Sequence, residues 1–276
     1  MIARLGAWLA VACLLLSAPA AAQGVLERAA ARGTLVAAAM PDTLPQAARD
    51  AEGRLIGFDI EVAEEIARRL GLEIAFVTPG WQEILAGGWA RRWDLAVVSM
   101  TPTAERAATL DFPVVYRHDV AVLAVHKDNL EILAPEDASG KVVGVKKDTT
   151  QEAYLEGTLG VFMGREQPTF RIRNPVIRRY TGKDEALLAL AKGDGVELEA
   201  AAVTFAAARQ AVVDRLPVRV LPGSLFTEPV AVAVDKGDPR FARAVEDAVL
   251  RMSGDGTLAA LSVKWFGTDL SQAVGP

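Results

Sequence analysis

The sequence predicts an α/β protein made of two consecutive units, and three observations support this prediction. Short apolar segments typical of strands alternate with segments in which apolar residues recur at helical spacing. The alternation begins again after Asp119, which indicates a second unit of the same kind. The chain has 276 residues, a length at which one hydrophobic core commonly divides into two.

The first unit has the predicted order β-α-β-α-β. Strands are expected at 34–39, 73–77 and 95–98, and helices at 62–70 and 81–89. Acidic residues begin the first of these helices and basic residues end it, which complements the helix dipole. Elements in this order form a mostly parallel sheet covered by helices.

The second unit and the end of the chain continue the pattern. The expected strands lie at 120–125, 141–145, 199–203 and 230–234, and the expected helices at 150–156, 184–192, 204–213, 239–253 and 257–265. Residues 160–174 mix charges with Pro168 and show no period, so we expect a loop there. Two such units predict a cleft between lobes.

Residues 1–22 have the pattern of a cleavable secretory signal peptide. Arg4 is their only charged residue, and an apolar run too short to span a membrane follows it. The run contains Cys13, the single cysteine of the chain, whose surroundings loosely resemble a lipoprotein acylation site. Cleavage after Ala22 is the favoured alternative, and it predicts a cysteine-free protein of the bacterial periplasm.

Composition and motifs argue against nucleic-acid binding and against several classes of enzyme. The 30 basic and 35 acidic residues give a net charge of −5, with no basic stripe. His118 and His126 are the only histidines and lack metal-ligand spacing, and no nucleophile elbow, phosphate loop or dinucleotide fingerprint occurs. We therefore expect no catalytic residues, no metal and no cofactor.

The run 93–106 contains the strongest candidate for a binding residue. Its strand ends in Ser99 and Thr101, Pro102 forces a turn or a helix start, and Arg106 follows. Open α/β sheets bind small ligands beyond the carboxyl ends of their strands. A guanidinium beside hydroxyl groups at that position suits a carboxylate. An exposed arginine on an ordinary turn is the alternative for Arg106 taken alone.

Two further features lie where a cleft wall is expected. Trp81 begins a helix directly after a strand, and one aromatic wall is common in small-molecule pockets. Thr149 and Glu152 have capping-box spacing at the start of the helix at 150–156. A simple helix cap is the favoured interpretation of this spacing, and an anion-binding helix start is the other.

Several short motifs occur through the chain in a fixed order. They are Gly33-Thr34-Leu35-Val36, the run 53–61, Asp94, Thr103-Ala104-Glu105-Arg106, Asp111-Phe112-Pro113, Tyr116, the run 140–145, Asp148-Thr149-Thr150, the run 234–238 and Lys264-Trp265-Phe266-Gly267. In these motifs the chain resembles the family 3 solute-binding proteins, the periplasmic receptors of polar-amino-acid ABC importers.

The resemblance implies a two-lobed periplasmic binding protein fold. Each lobe is a mostly parallel sheet flanked by helices, and a two-strand hinge joins the lobes. Lobe 1 is expected at 23–119 and 231–276, and lobe 2 at 120–230. The implied protein is a monomer that closes on a small-molecule carboxylate ligand and serves the membrane permease of an ABC importer.

The resemblance also implies which residues contact the ligand. Arg106 matches the arginine that holds the ligand carboxylate. The other matching positions are Thr101 and the backbone of Ser99 beside it, Trp81 on the pocket wall, and Thr149 and Thr150 on lobe 2.

Three positions of the expected site, Met40, Thr43 and Thr204, depart from the family pattern. Thr204 stands where the family has the aspartate that pairs with the ligand ammonium. An uncharged hydroxyl does not balance a buried cation, so we expect a carboxylate ligand without a free ammonium. The alternative is that another acid, such as Glu199 or Asp148, pairs with an ammonium.

Two other functions stay open. Cyclohexadienyl dehydratases are periplasmic enzymes on the same scaffold that use a glutamate as general acid, but the comparable run 204–209 has no carboxylate. A sensory or accessory binding protein would use the same fold with a different partner.

Overall fold

The computed structural model of the protein describes residues 24–41, 44–161, 167–182 and 184–272. The predicted signal peptide and Cys13 lie outside these residues. Throughout the described ranges, no helix combines the length and the apolar character needed to cross a membrane.

Two α/β units follow each other, as predicted, and two long strands belong to both. The first unit contains α1 (Val25–Arg32), β1 (Thr34–Ala38), β2 (Ala48–Arg49), β3 (Leu55–Ile56), α2 (Phe58–Arg69), β4 (Glu73–Val77), α3 (Trp81–Leu85) and β5 (Leu95–Met100). The shared strands are β6 (Leu110–His126) and β11 (Phe226–Asp235). The second unit contains β7 (Val142–Lys146), α4 (Thr150–Leu155), β8 (Val176–Tyr180), α5 (Glu185–Leu190), β9 (Ala200–Thr204), α6 (Phe205–Val213) and β10 (Val218–Val220). The described chain ends with α7 (Pro239–Gly254) and α8 (Thr257–Phe266), and short 3-10 helices lie at Arg106–Ala108 and Pro135–Ala138.

The main strands form one continuous sheet with two parallel sections. Its order is β4-β1-β5-β11-β6-β9-β7-β8, with β10 paired to β6. In the first section β1 is parallel to β4 and β5, and in the second β7 is parallel to β8 and β9. Between them, β6 and β11 are antiparallel to each other and to their outer neighbours. The predicted α/β class with two lobes and two connecting strands is confirmed.

Each lobe has its own hydrophobic core, and the core changes along β6. Phe58 and Phe241 are buried in lobe 1, where α2 and α7 pack against the sheet. Tyr154 of α4 is buried in lobe 2. On β6 itself, Tyr116 belongs to the lobe 1 core and Ala121 to the lobe 2 core. The chain therefore passes between lobes within this strand, where the predicted boundary at 119/120 also falls.

Several predicted element bounds were wrong. β6 begins at Leu110 instead of 120, because alternate residues from Leu110 to Tyr116 are buried and the charged residues after Tyr116 obscured that pattern. α3 ends at Leu85 instead of 89, because Gly87 and Gly88 adopt positive φ angles of 63° and 57°. The strand β8 was not predicted, since its side chains are mostly exposed.

Candidate functional site

A cavity of about 240 Å³ lies between the lobes, next to the two strands that connect them. Eight of the nine predicted site residues line it: Met40, Trp81, Ser99, Thr101, Arg106, Thr149, Thr150 and Thr204. Thr43, the ninth, lies outside the described residues. The cavity therefore brings together side chains from both lobes.

Arg106 enters the cavity from lobe 1. Its Nη1 donates a hydrogen bond of 2.8 Å to the carbonyl oxygen of Thr101, and its Nη2 a longer one of 3.3 Å to the carbonyl oxygen of Asp148 in lobe 2. The guanidinium carbon lies 5.1 Å from the centre of the Trp81 ring. Burial lowers the pKa of Arg106, although a guanidinium stays charged at any physiological pH. A carboxylate in the cavity meets a cation held against an aromatic face.

Ser99, the last residue but one of β5, has a left-handed conformation with a φ of 53°. Its backbone N–H donates to Tyr116 Oη at 3.1 Å, and its hydroxyl donates to Asp59 Oδ2 at 2.6 Å. Both groups are thus engaged with the protein. Contact between Ser99 and a ligand stays a prediction.

At the start of α4, Thr149 forms the helix cap that its spacing predicts. Its Oγ1 accepts a hydrogen bond from the Glu152 N–H at 3.3 Å, while Glu152 Oε2 accepts one from the Asp148 N–H at 2.6 Å. The favoured interpretation as a helix cap is confirmed, but the reciprocal bond of a capping box is shifted by one residue, because Glu152 accepts from the N–H of Asp148 and Thr149 is the cap. Thr150, the next residue, is buried and also lines the cavity.

Thr204 caps α6 in the same manner, since its Oγ1 accepts a hydrogen bond from the Ala207 N–H at 3.2 Å. Neither acid that the sequence offered in its place lines the cavity. Glu199 accepts a hydrogen bond from the Val142 N–H at 2.7 Å and pairs with Lys141 at 3.2 Å. The Asp148 carboxylate accepts a hydrogen bond of 2.9 Å from Gln82 of lobe 1. Pairing of Glu199 or Asp148 with a ligand ammonium stays a prediction.

Sequence reasoning missed four charged residues of the cavity wall, Asp59, Arg117, Asp119 and Glu228. All four are buried, with at most 7% of their surface exposed. Arg117 and Asp119 lie within β6, and Glu228 lies within β11. Charged residues inside otherwise apolar strands are a sequence feature from which these three could have been predicted. Lys146 and Lys147 of lobe 2 line the cavity as well.

Arg117 lies among the acids of lobe 1. Its Nη1 is 3.0 Å from Asp119 Oδ2, and its Nη2 donates a hydrogen bond of 2.8 Å to Ser99 Oγ. Burial by itself opposes the charge of Arg117, but the carboxylates of Asp119 and Asp59 outweigh it and raise the pKa of Arg117. Burial raises the pKa of Asp59, whose oxygens accept hydrogen bonds from Ser99 and Tyr116.

Glu228 connects the two lobes through its hydrogen bonds. Thr101 Oγ1 of lobe 1 donates to Glu228 Oε2 at 2.6 Å, and Gln151 Nε2 of lobe 2 donates to Oε1 at 3.2 Å. Burial raises the pKa of Glu228, and the nearby Asp119 adds to this shift. The expectation of a ligand without an ammonium rested on Thr204 and stays a prediction, but Glu228 and Asp119 add carboxyl groups to the cavity wall that the sequence argument did not include.

Comparison with known proteins agrees with this geometry. The sequence model of the bacterial extracellular solute-binding proteins, family 3, matches residues 35–268. The chain belongs to this family. Over 230 residues it is 29% identical to the L-cystine-binding protein TcyJ of Escherichia coli strain K12, covering 83% of this chain and 80% of TcyJ.

Two solved structures of amino-acid-binding proteins are similar to the whole described fold. The ancestral amino acid-binding protein AncCDT-1, a precursor of cyclohexadienyl dehydratase, has a TM-score of 0.72 and 27% identity, with 88% of this chain and 100% of that chain covered. An ancestral arginine-binding protein bound to arginine has a TM-score of 0.70 and 28% identity, with 86% and 99% covered.

Proposed function

We propose that the chain is the periplasmic substrate-binding receptor of an ABC importer and captures a small carboxylate-containing solute, an amino acid or a similar compound. Membership of family 3 and the similarity to TcyJ and to an arginine-bound protein support this proposal. Its partners are the solute and a membrane permease, and the receptor acts as a monomer. We also propose the lobe boundaries 23–119 with 231–276, and 120–230, which fall within β6 and β11.

The position of Arg106 is the observation that carries the proposal. Its two terminal nitrogens donate to carbonyl oxygens of different lobes, and the bond to Asp148 is the longer one at 3.3 Å. A ligand carboxylate that replaces this longer bond gains a charge-assisted interaction. Because Thr149 and Thr150 line the same cavity from lobe 2, a ligand bound to Arg106 contacts both lobes and favours their closure.

Calorimetric titration tests the role of Arg106. Protein freed of ligand by unfolding and refolding is first screened by thermal shift against the proteinogenic amino acids, L-cystine, and hydroxy, keto and dicarboxylic acids. Arg106→Ala should weaken the binding of the most stabilising compound by roughly 10- to 100-fold or more. The reason is that it removes charge-assisted hydrogen bonds worth about 1.5–3 kcal/mol each.

The matched control is Arg243→Ala on α7, where the arginine side chain is 74% exposed. This variant should bind with wild-type affinity. Wild-type affinity in a folded Arg106→Ala protein contradicts the assignment of Arg106. A wild-type protein that binds no member of the panel contradicts the proposed function itself.

A second function, an enzyme on the same scaffold, is favoured by one observation. Glu228 is a buried carboxyl group with a raised pKa in the cavity, as a general acid requires. We place this function second because both Glu228 oxygens already accept hydrogen bonds, from Thr101 and Gln151. Mass spectrometry of the compound recovered after incubation separates the two functions, since a receptor returns it unchanged and an enzyme returns a product.

A further inference from the structure

The two strands that join the lobes place a pair of carboxylates in the cavity wall. Asp119 on β6 and Glu228 on β11 are register partners, and both line the cavity. They are 7% and 3% exposed. Side chains of paired residues on antiparallel strands lie on the same face, and like charges directly opposite each other are destabilising. A positive charge between them would remove this repulsion.

Asp119 forms an ion pair with Arg117, and the charge of Arg106 attracts Glu228. Arg117 Nη1 lies 3.0 Å from Asp119 Oδ2. The hydrogen bonds that Glu228 accepts, however, come from neutral groups, the Thr101 hydroxyl at 2.6 Å and the Gln151 amide at 3.2 Å. Hydrogen bonds from neutral donors offset only part of the free energy that burial of a carboxylate costs.

Arg117 provides an independent indication that a ligand completes the cavity. Its side chain is fully buried and lines the cavity, yet its Nε has no hydrogen-bond partner among the described residues, and its Nη1 has only the ion pair with Asp119. Buried donors without a partner are rare in folded proteins. An acceptor atom of a ligand, such as a carboxylate oxygen, would complete this donor, so Arg117 indicates that a ligand enters the cavity, while the ammonium site is argued from Glu228 and Asp119.

We propose that Glu228, with Asp119 beside it, binds the ammonium group of the ligand whose carboxylate Arg106 holds. The inference rests on the proposed function and deepens it, because it makes the solute an α-amino acid. The ammonium then binds to the strands that connect the lobes. Glu228 and Asp119 there replace the family aspartate, whose position Thr204 occupies in this chain.

Thr101 fixes the relative position of the two charged groups. Arg106 donates to its carbonyl oxygen at 2.8 Å, and its hydroxyl donates to Glu228 at 2.6 Å. In an α-amino acid one carbon atom separates the carboxylate from the ammonium, so the receptor groups for both must meet at one end of the ligand. They meet at Thr101, while Met40 and Trp81 line the same cavity and offer apolar surface to a side chain.

The experiment compares compounds that differ only in the α-amino group. Calorimetry measures the affinity of two sets of compounds. The first set is the proteinogenic amino acids and L-cystine. The second set is the same compounds with hydrogen in place of each α-amino group, so that the counterpart of L-cystine is 3,3′-dithiodipropanoate. Wild-type protein should bind its preferred amino acid at least about tenfold more tightly than the deaminated counterpart. In Glu228→Gln this ratio should fall to near one, with the affinity for the deaminated compound retained. Glu131→Gln, a lobe 2 control whose side chain is 82% exposed, should keep the wild-type ratio.

The outcomes separate this inference from the proposed function. If a folded Glu228→Gln protein keeps the wild-type ratio, the inference is overturned but the proposed receptor function is not. The same holds if the wild type prefers the deaminated compounds. A wild type that binds neither set contradicts the proposed function. If Glu228→Gln does not fold, Asp119→Asn tests the same pair, and an unchanged ratio there overturns the inference.

Discussion

At the scale of single residues, the buried carboxyl group of Glu228 has a consequence for the stability of the ligand-free protein. Burial raises its pKa above the ordinary value. A carboxyl group whose pKa is higher in the folded state favours folding most below its unfolded pKa of about 4.3. This contribution is lost as the pH rises toward the folded pKa. Ionisation of Glu228 therefore destabilises the empty receptor at neutral pH.

Glu228→Gln should accordingly stabilise the ligand-free protein near pH 7. We expect a Tm about 2–4 °C above that of the wild type, the change that about 1 kcal/mol produces in a chain of this size. The difference should disappear near pH 4, where the wild-type carboxyl group is protonated. Differential scanning calorimetry at both pH values measures it, and a variant that melts at or below the wild type at pH 7 would contradict the argument.

The sequence could predict part of the site at this scale. Arg106, Thr101 and Trp81 follow strands of an α/β pattern, and the position of such residues beyond strand ends is a local property of the chain. The register of β6 against β11 is not local, because it joins residues 109 positions apart, so the pairing of Asp119 with Glu228 could not be read from spacing.

At the scale of elements, a close backbone approach positions the start of α2 at the cavity. The Phe58 N–H donates to the Pro45 carbonyl oxygen and the Asp59 N–H to the Gln46 carbonyl oxygen, both at 2.9 Å. Gly57, just before the helix, has a φ of 133°, and a Cβ atom there would lie 2.4 Å from the Gln46 carbonyl oxygen. Only glycine fits this junction, which holds Asp59 in the cavity wall.

Gly57→Ala should therefore destabilise the protein by roughly 2–4 kcal/mol, because it combines a backbone clash with a strained φ. Urea unfolding measures the free energy of unfolding. Gly254→Ala at the end of α7 is the control, since no atom lies within 4 Å of the position of its Cβ. It should change the stability by less than about 1 kcal/mol. Equal stability of the two variants would show that the junction tolerates a side chain.

Elements whose apolar periodicity is strong were predicted well, and those shaped by neighbours were not. The helix α2 and the strand β4 occur close to their expected positions. The strand β8 was missed because its exposed residues carry no alternating pattern, and it is held by parallel pairing with β7. Pairing of this kind depends on a partner distant in sequence, which periodicity does not reveal.

At the scale of the whole molecule, hydrogen bonds between the lobes hold them together. Gln82 of lobe 1 donates to the Asp148 carboxylate of lobe 2 at 2.9 Å, and Arg209 of lobe 2 donates to the Phe266 carbonyl oxygen of lobe 1 at 3.2 Å. The repeat of the α/β pattern predicted two lobes. That two strands connect them came from the family resemblance, since the order of elements alone does not fix which strands cross.

Capture of a solute by closure of the lobes is the central claim, and small-angle X-ray scattering tests it most directly. The radius of gyration is measured for the wild type and for Arg106→Ala, each with and without the compound that calorimetry identifies. The compound is added at a concentration that saturates the wild type but not Arg106→Ala. The wild type should become more compact on addition of the compound, and Arg106→Ala should not. A wild-type radius that stays unchanged although calorimetry shows binding, or an equal decrease in Arg106→Ala, would contradict the account.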